Sequence, residues 1–239
     1  MHYLIGERHG VSSARNAGVA QGKAPWLAFL DSDDEWLPHK LEAQFEELKK
    51  SPLPLVHGEE IWVRKGKRVN PKKKHQKSGG YIYNRCVELC LISPSAAMMR
   101  RDVFERLGGF DESFEVCEDY DLWLKLTSRY PVAFVSDPII KKYGGHSDQL
   151  SQKFKAMDAW RVKSLLRMVE DPRWSQVLPP EYKLTTCREI LKKGEILSMG
   201  YAKHGRHADR EELLAHLVRI EEYLQEWEFV EEGNSLNEG

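Results

Sequence analysis

Short apolar runs alternate with helix-period patterns over the first part of this chain, up to about Ser151. Beyond that residue the apolar positions follow a helical period throughout. Alternating strands and helices are typical of α/β folds, in which helices cover a sheet. We therefore predict an α/β domain over residues 1–151 and an all-α C-terminal extension over residues 152–239.

The charge balance and the apolar content exclude several classes of protein. The chain has 36 Lys+Arg against 37 Asp+Glu, so nucleic acid is not expected as a partner. A hydrophobic fraction of 41% excludes global disorder. No apolar run approaches the roughly 18–20 residues of a membrane span, and the segment after Met1 lacks a signal-peptide core. Since none of the cysteines forms a Cys-x-x-Cys pair, we predict free thiols and a cytoplasmic protein.

Local patterns predict where the elements lie. The predicted strands cover residues 26–30, 55–63, a segment around Val69, residues 95–100 and residues 132–135. One predicted helix starts near Pro38. A second, short helix starts at the capping box Asp102-Val-Phe-Glu105 and ends at Gly108 and Gly109. The other predicted helices cover residues 118–130, 152–170, 181–204 and 209–230. The expected buried faces are Leu41, Phe45 and Leu48 in the first helix, and Leu122, Trp123 and Leu126 in residues 118–130.

Three carboxylates follow the predicted strand over residues 26–30, in Asp31-Ser-Asp-Asp34. In open α/β sheets, ligands bind at the carboxyl ends of the strands. Crowded carboxylates repel one another unless a cation lies among them, and Mg²⁺ or Mn²⁺ takes oxygen ligands from carboxylates and phosphates. The cluster therefore indicates a metal–diphosphate site. The alternative is a solvated acidic turn in which Asp34 caps the next helix.

Several sequence blocks, in one order, resemble the family 2 glycosyltransferases. They are Gly10-Val-Ser-Ser-Ala-Arg-Asn-Ala-Gly18, Asp31-Ser-Asp-Asp-Glu-Trp-Leu-Pro38, Leu107-Gly-Gly-Phe-Asp-Glu112 with Glu118-Asp-Tyr-Asp-Leu-Trp-Leu124, and Tyr143-Gly-Gly-His-Ser-Asp-Gln-Leu-Ser151. The resemblance covers about residues 5–151. It implies a GT-A-like, Rossmann-like mixed sheet and an inverting, metal-dependent enzyme. The donor would be a nucleotide-diphosphate sugar, with a UDP-sugar as first choice, and the acceptor a glycan, lipid or polymer.

The resemblance also implies roles for individual residues. Asp33 and Asp34 would hold Mn²⁺ or Mg²⁺ on the diphosphate, which stabilises the leaving group, and His146 would be a further metal or diphosphate contact. Asp31 belongs to the same Asp-x-Asp region on the substrate side. Arg15 and Asn16 would line the nucleotide.

On the catalytic side, Asp119 matches the general base, while Glu118 and Trp123 would shape the pocket for the acceptor and the sugar. An inverting transfer needs one base that takes the proton of the acceptor hydroxyl. Simpler alternatives stay open. Asp119 would be favoured at a helix start by the helix dipole alone, and Trp123 has the spacing of a core residue. His146 and Arg15 have the alternative of plain surface positions.

The start of the chain departs from the family pattern. Relatives begin with two βα units that hold the base and ribose of the nucleotide, whereas Met1-His-Tyr-Leu-Ile-Gly-Glu7 resembles the segment after them. We therefore expect a GT-A-like domain that lacks its first βα units. A catalytically inactive remnant or interaction module is the alternative function. A sugar nucleotidyltransferase is the third, although its Gly-rich phosphate loop is not visible.

Two further segments have alternative interpretations. Residues 64–77, from Arg64 to Lys77, hold eight Lys/Arg and no acid. This segment is a solvated loop, a peripheral contact with the inner face of the membrane, or a rim for an anionic acceptor. The apolar stripe of the C-terminal helices, which includes Leu213 and Leu217, predicts packing on the first domain, with self-association into a homo-oligomer as the alternative.

Overall fold

A computed structural model describes residues 10–145 and 157–235, with side chains up to residue 229. The chain divides into two compact units, residues 1–157 and residues 158–239. The functional domains predicted with a boundary after residue 151 remain a proposal. No helix in the described part of the chain is both long and apolar enough to cross a bilayer.

The first unit contains both strands and helices, as predicted. Its strands are β1 (Trp26–Ala28), β2 (Asp34–Trp36), β3 (Leu55–Arg64), β4 (Lys67–Val69), β5 (Met98–Arg100) and β6 (Ala133–Gly144). Its helices are α1 (Val11–Gln21), α2 (Lys40–Lys50), α3 (Tyr83–Glu88), α4 (Arg101–Arg106) and α5 (Glu118–Thr127), with 3₁₀ turns at Lys73–His75 and Pro94–Ala96.

The described strands form one mixed sheet in the order β1-β5-β3-β6-β2, with β4 paired on β3. The β3–β6 pair is parallel, and the other pairs are antiparallel. The register of β3 against β6 shifts on both sides of Glu59, opposite Pro138, where a bulge accommodates a proline inside a strand. At Gly58 a Cβ atom would lie 2.6 Å from Ile139 Cδ1, so the close approach of the two strands requires glycine there.

The structure corrects the expected cap at Asp34. Asp34 begins the short strand β2, while α2 starts only at Lys40 with His39 at its N-cap position. The partner of β2 is the far end of β6, where Asp34 faces Lys142 in the antiparallel register. Strand β6 runs well beyond the predicted residues 132–135, because its second half is needed to pair both β3 and β2.

The buried face of α2 is also different from the prediction. Lys40, Gln44 and Leu48 are buried, whereas Leu41 and Phe45 are 42% and 43% exposed. Gln44 accepts a hydrogen bond from Lys40 Nζ at 2.6 Å and donates to the carbonyls of Val56 and Ala96. Because these polar groups satisfy one another, the helix can bury them against the sheet. Burial lowers the pKa of Lys40 to about 8.

Helix α4 does not begin with the predicted capping box. It starts at Arg101, and the Asp102 carboxylate forms ion pairs with Arg100 and Arg106 instead of capping the backbone. Its predicted stop is confirmed, since Gly108 and Gly109 adopt φ values of +88° and +68°. Helix α5 buries Leu122, Trp123 and Leu126 as predicted.

The second unit consists of helices and the turns between them in the part that the structure describes. Its helices are α6 (Met157–Glu170), α7 (Pro172–Ser175), α8 (Pro180–Lys203) and α9 (His207–Ser235). The predicted turn between the last two is confirmed, with Gly205 at φ +69°. The apolar stripe of α9 is buried, and its Leu217 packs against Gly194 of α8.

Candidate active site

A cleft of about 1010 Å³ in the first unit brings together carboxylates from separate parts of the chain. The loop after β1 contributes Asp31 and Asp33, strand β2 contributes Asp34, and the start of α5 contributes Glu118 and Asp119. These positions are up to 88 residues apart in the sequence. The fold thus collects in one cleft all five acidic residues that the sequence predicts for the site.

Arg15 of α1 joins two of these segments. Its Nη2 donates to Asp31 Oδ1 at 2.5 Å and its Nη1 donates to Glu118 Oε1 at 2.6 Å. The Arg15 side chain is only 11% exposed, so the alternative of a plain surface residue is wrong. Burial opposes the charge of Arg15, but Asp31 and Glu118 outweigh it and raise the pKa of the guanidinium. Arg15 therefore holds the loop after β1 against the start of α5.

The backbone enters α5 through a strained residue. Cys117 has φ +63°, a left-handed conformation that non-glycine residues rarely adopt. Such strain clusters at functional sites, where the surrounding structure holds it. The next residue, Glu118, is buried, and burial together with the neighbouring Asp119 raises the pKa of its carboxyl to about 7.

Asp119 is half-buried, and both of its carboxylate oxygens are held. Oδ1 accepts a hydrogen bond from the backbone N–H of Tyr120 at 2.7 Å, and Oδ2 accepts one from the Cys90 thiol at 3.4 Å. Burial raises the pKa of Cys90 well above its ordinary range, so the thiol stays protonated and can donate. The carboxylate thus has a fixed orientation at the edge of the cleft.

Asp34 and Asp33 lie at the start of β2, where they line the same cleft. Asp34 Oδ1 accepts from the backbone N–H of Tyr143 at 3.3 Å, and burial raises the pKa of its carboxyl. Among the described residues, no group of three His, Cys, Asp or Glu side chains is arranged to hold a metal ion. Mg²⁺ is commonly held by one or two carboxylates together with substrate phosphates. Asp33 and Asp34 fit that kind of metal site.

The other predicted site residues are placed differently. Asn16 does not line the cleft. Its side-chain amide donates a hydrogen bond to the carbonyl of Phe110 and accepts one from the backbone N–H of Phe110. Trp123 is 1% exposed in the core, which favours the core interpretation. His146 lies outside the described residues. The binding roles of all three remain predictions.

Sequence reasoning missed Lys142 and Cys90. Lys142 lines the cleft opposite Asp34, and its Nζ donates to Ser93 Oγ at 2.8 Å. The apolar pair Ile139-Ile140 directly before Lys141-Lys142 was the available signal that a strand continues to these lysines. No signal in the sequence connects Cys90 with Asp119.

The basic segment has two different parts. Lys77 is buried, and its Nζ pairs with Glu60 Oε1 at 2.5 Å, so it is no part of a surface contact. The remaining basic side chains form what we call the basic hairpin, residues 64–74, which comprises the β3–β4 turn and the 3₁₀ turn after it. Its exposed cations are Arg64, Lys65, Lys67, Arg68, Lys72, Lys73 and Lys74.

Comparison with known families decides the assignment. Residues 2–108 match the family described as Glycosyl transferase family 2, and residues 64–165 match the one described as Glycosyltransferase like family 2. The chain belongs to glycosyltransferase family 2.

Individual relatives agree with this family 2 assignment. The chain is 30% identical over 170 residues to the Escherichia coli UDP-Glc:alpha-D-GlcNAc-diphosphoundecaprenol beta-1,3-glucosyltransferase WfgD, a match covering 68% of this chain and 62% of WfgD. It is 28% identical over 200 residues to an uncharacterized glycosyltransferase of Rickettsia typhi, which covers 80% of this chain and 58% of that relative. The matches thus span about three-fifths of these relatives' lengths.

The same fold occurs in a solved structure. Staphylococcus aureus TarS 1-349, crystallised with UDP-GlcNAc, superposes with a TM-score of 0.55 at 14% identity, covering 91% of this chain and 72% of TarS 1-349. A likeness at this identity supports the fold alone. The mixed sheet is thus of the GT-A type, as the sequence blocks implied.

Proposed function

We propose that this family 2 chain transfers a sugar from a nucleotide-diphosphate sugar to an acceptor hydroxyl with inversion at the anomeric carbon. The observation that carries the proposal is the cleft itself. Carboxylates that could hold a metal, Asp33 and Asp34, line the same cleft as a carboxylate suited to be a base, Asp119. A metal–diphosphate site and a proton acceptor at one cleft are what such a transfer requires.

The relatives support a uridine nucleotide as the donor. The name of WfgD specifies UDP-Glc, and TarS was crystallised with UDP-GlcNAc. We therefore propose a UDP-sugar as donor for this chain.

The diphosphate would be held with the help of a divalent cation. Asp33 and Asp34 line the cleft beside the loop that Arg15 holds through Asp31, and they would be the carboxylates for Mn²⁺ or Mg²⁺. The bound ion would neutralise charge that develops on the leaving diphosphate. Arg15, in turn, would keep the loop that carries Asp33 in a fixed position.

Asp119 would act as the general base. As the acceptor oxygen forms its bond to the anomeric carbon, the bond from that carbon to the diphosphate oxygen breaks, and the acceptor proton passes to Asp119. A positioned base typically contributes about 10²–10⁴-fold to the rate. The ion pair of Glu118 with Arg15 supports Asp119, rather than Glu118, in this role.

The basic hairpin supports a membrane-associated acceptor. The name of WfgD specifies an acceptor linked to diphosphoundecaprenol, which is a lipid. Seven exposed Lys/Arg on one hairpin would attract the anionic surface where such a lipid lies. We propose a cytoplasmic protein that works at the inner face of the membrane.

Calorimetric titration of the 239-residue chain with UDP, with and without Mn²⁺, tests the donor site. We expect binding that depends on Mn²⁺ and that Asp33→Asn and Asp34→Asn weaken. Absence of binding by the folded chain to UDP and to the other nucleoside diphosphates would contradict the proposal and favour the non-catalytic alternative.

A second experiment tests the base. Asp119→Asn should abolish sugar transfer from the donor that the titration identifies, and should leave the affinity for UDP unchanged. Retained turnover would refute the role of Asp119. Asp121→Asn is not a suitable control, because Asp121 is buried and paired with Lys125. Asp137→Asn, at an exposed position of β6 that does not line the cleft, is the better control.

A further inference from the structure

Three residues that line the cleft, among those the structure describes, carry a positive charge: Arg15, Arg101 and Lys142. Arg15 is committed to Asp31 and Glu118. Arg101 donates to the backbone carbonyls of Ala24 and Val19 at 2.7 and 3.0 Å, which ties α4 to the last turn of α1 and to the segment after it. Two of the three cations thus already serve the fold.

Lys142 differs from both arginines in its partner. Its Nζ donates to a neutral hydroxyl, Ser93 Oγ, at 2.8 Å. An ammonium group has three N–H donors, and this bond uses one of them. Lys142 therefore keeps donor capacity for an anion that enters the cleft.

The position of Lys142 indicates which anion it meets. In the antiparallel register of β2 and β6, Lys142 lies directly opposite Asp34, one of the carboxylates proposed to hold the metal on the diphosphate. Asp34 and Asp119 both line the cleft with Lys142. A diphosphate brought there adds negative charge to a site already rich in carboxylates, so a cation from the protein would favour its binding beside the metal ion.

We infer that Lys142 binds the diphosphate of the nucleotide sugar and stabilises it as the leaving group. The inference rests on the proposed function and adds to it the residue that supplies positive charge from the protein itself. The extension of β6 to Gly144 carries Lys142 to the cleft that Asp33 and Asp34 line.

Lys142→Met tests the inference, with Lys141→Met as the matched control. Lys141 is the preceding residue of the same strand, but its Nζ pairs with Glu35 at the surface, 2.9 Å away. The affinities of the full chain for UDP and for inorganic pyrophosphate are measured by calorimetry in the presence of Mn²⁺. We expect Lys142→Met to lose at least tenfold in affinity for both ligands and Lys142→Arg to recover part of that loss. Lys141→Met should bind both ligands with the affinity of the wild type.

The outcomes separate this inference from the proposed function. If the wild type binds UDP, and Lys142→Met binds UDP and pyrophosphate with the same affinities as the wild type, the inference is wrong and the proposed function stands. If Lys142→Met loses affinity together with its thermal unfolding midpoint, and Lys142→Arg recovers neither, the lysine is structural and the inference is again wrong. If the wild type binds neither ligand, the proposed donor site fails, and the role of Lys142 fails with it.

Discussion

Arg15 is the residue on which the geometry of the cleft depends. It contacts Asp31 and Glu118, 16 and 103 residues away, and its guanidinium also lies over the Phe110 ring at 5.0 Å. Removing one member of such a half-buried ion pair is more damaging than the pair itself is stabilising, because the partner charge is left without compensation. The cleft therefore depends on charge balance as much as on packing.

Glu118 predicts how that balance changes with pH. Its pKa of about 7 in the folded protein lies above the ordinary 4.5, so between these values the folded state holds more of the proton than the unfolded state does. The contribution of Glu118 to stability accordingly falls as the pH rises from about 5 to 7. Glu118→Gln does not titrate. Urea unfolding at pH 5 and at pH 8 should therefore show the variant gaining stability relative to the wild type at the higher pH.

Equal differences between the two proteins at both pH values would contradict this prediction. Glu35→Gln is a suitable comparison, because Glu35 is exposed and Lys141 and Tyr143 lower its pKa. For that variant the relative stability should not rise between pH 5 and pH 8.

At the scale of single elements, the sequence predicts existence better than orientation. Strand β3 and helix α5 were recognisable from their apolar periods. The face of α2 was not, because the apolar pattern gives no sign that Lys40 and Gln44 would satisfy each other and be buried. Strand β2 was too short and too polar to predict, since it forms only against the far end of β6.

The same limit applies to the candidate site. Local sequence blocks identify Asp33, Asp34 and Asp119 because each lies next to a recognisable element. The partners that hold two of them, Tyr143 for Asp34 and Cys90 for Asp119, become visible only when distant segments are paired. Long-range contacts of this kind leave no local period in the sequence.

Two glycines of helix α8, Gly194 and Gly200, allow a test of how tightly α8 packs against α9. A Cβ atom at Gly194 would lie 2.5 Å from Leu217 Cδ2, whereas nothing lies within 4 Å of such an atom at Gly200. At Gly194 the overpacking, about 1–3 kcal/mol, exceeds the gain in helix propensity, so Gly194→Ala should destabilise the second unit by about 0.5–2 kcal/mol. Gly200→Ala should stabilise it by about 0.5–1 kcal/mol, because alanine is the better helix former.

Thermal unfolding followed by far-UV circular dichroism measures both glycine variants. A second check is Gly194→Ala combined with Leu217→Ala, in which the added methyl group meets a shortened side chain. If overpacking is the cause, the double variant loses less stability than the sum of the two single changes. Strict additivity would contradict the contact between α8 and α9 as the cause.

Across the whole molecule the charges nearly cancel, at −1, but they are unevenly distributed along the chain. Seven exposed cations lie on the basic hairpin, whereas residues 209–239 hold ten Asp/Glu. Net charge therefore says little about the partners of this protein. A local surface of one sign attracts an opposite surface within roughly a Debye length, about 8–10 Å at moderate salt.

The basic hairpin predicts binding to anionic lipid. Each basic residue near an anionic surface contributes about 1 kcal/mol, so Lys72→Gln, Lys73→Gln and Lys74→Gln together should weaken binding by up to roughly 100-fold. The measurement is cosedimentation with phosphatidylcholine vesicles that do or do not contain phosphatidylglycerol, at low and at high salt. Lys49→Gln, Lys50→Gln and Lys203→Gln together are the matched control, because these three lysines are exposed outside the hairpin. A membrane contact through the hairpin is supported if binding needs phosphatidylglycerol, weakens with salt and is lost only in the hairpin variant. An equal loss of binding in the control would mean that overall charge, and not the hairpin, governs binding.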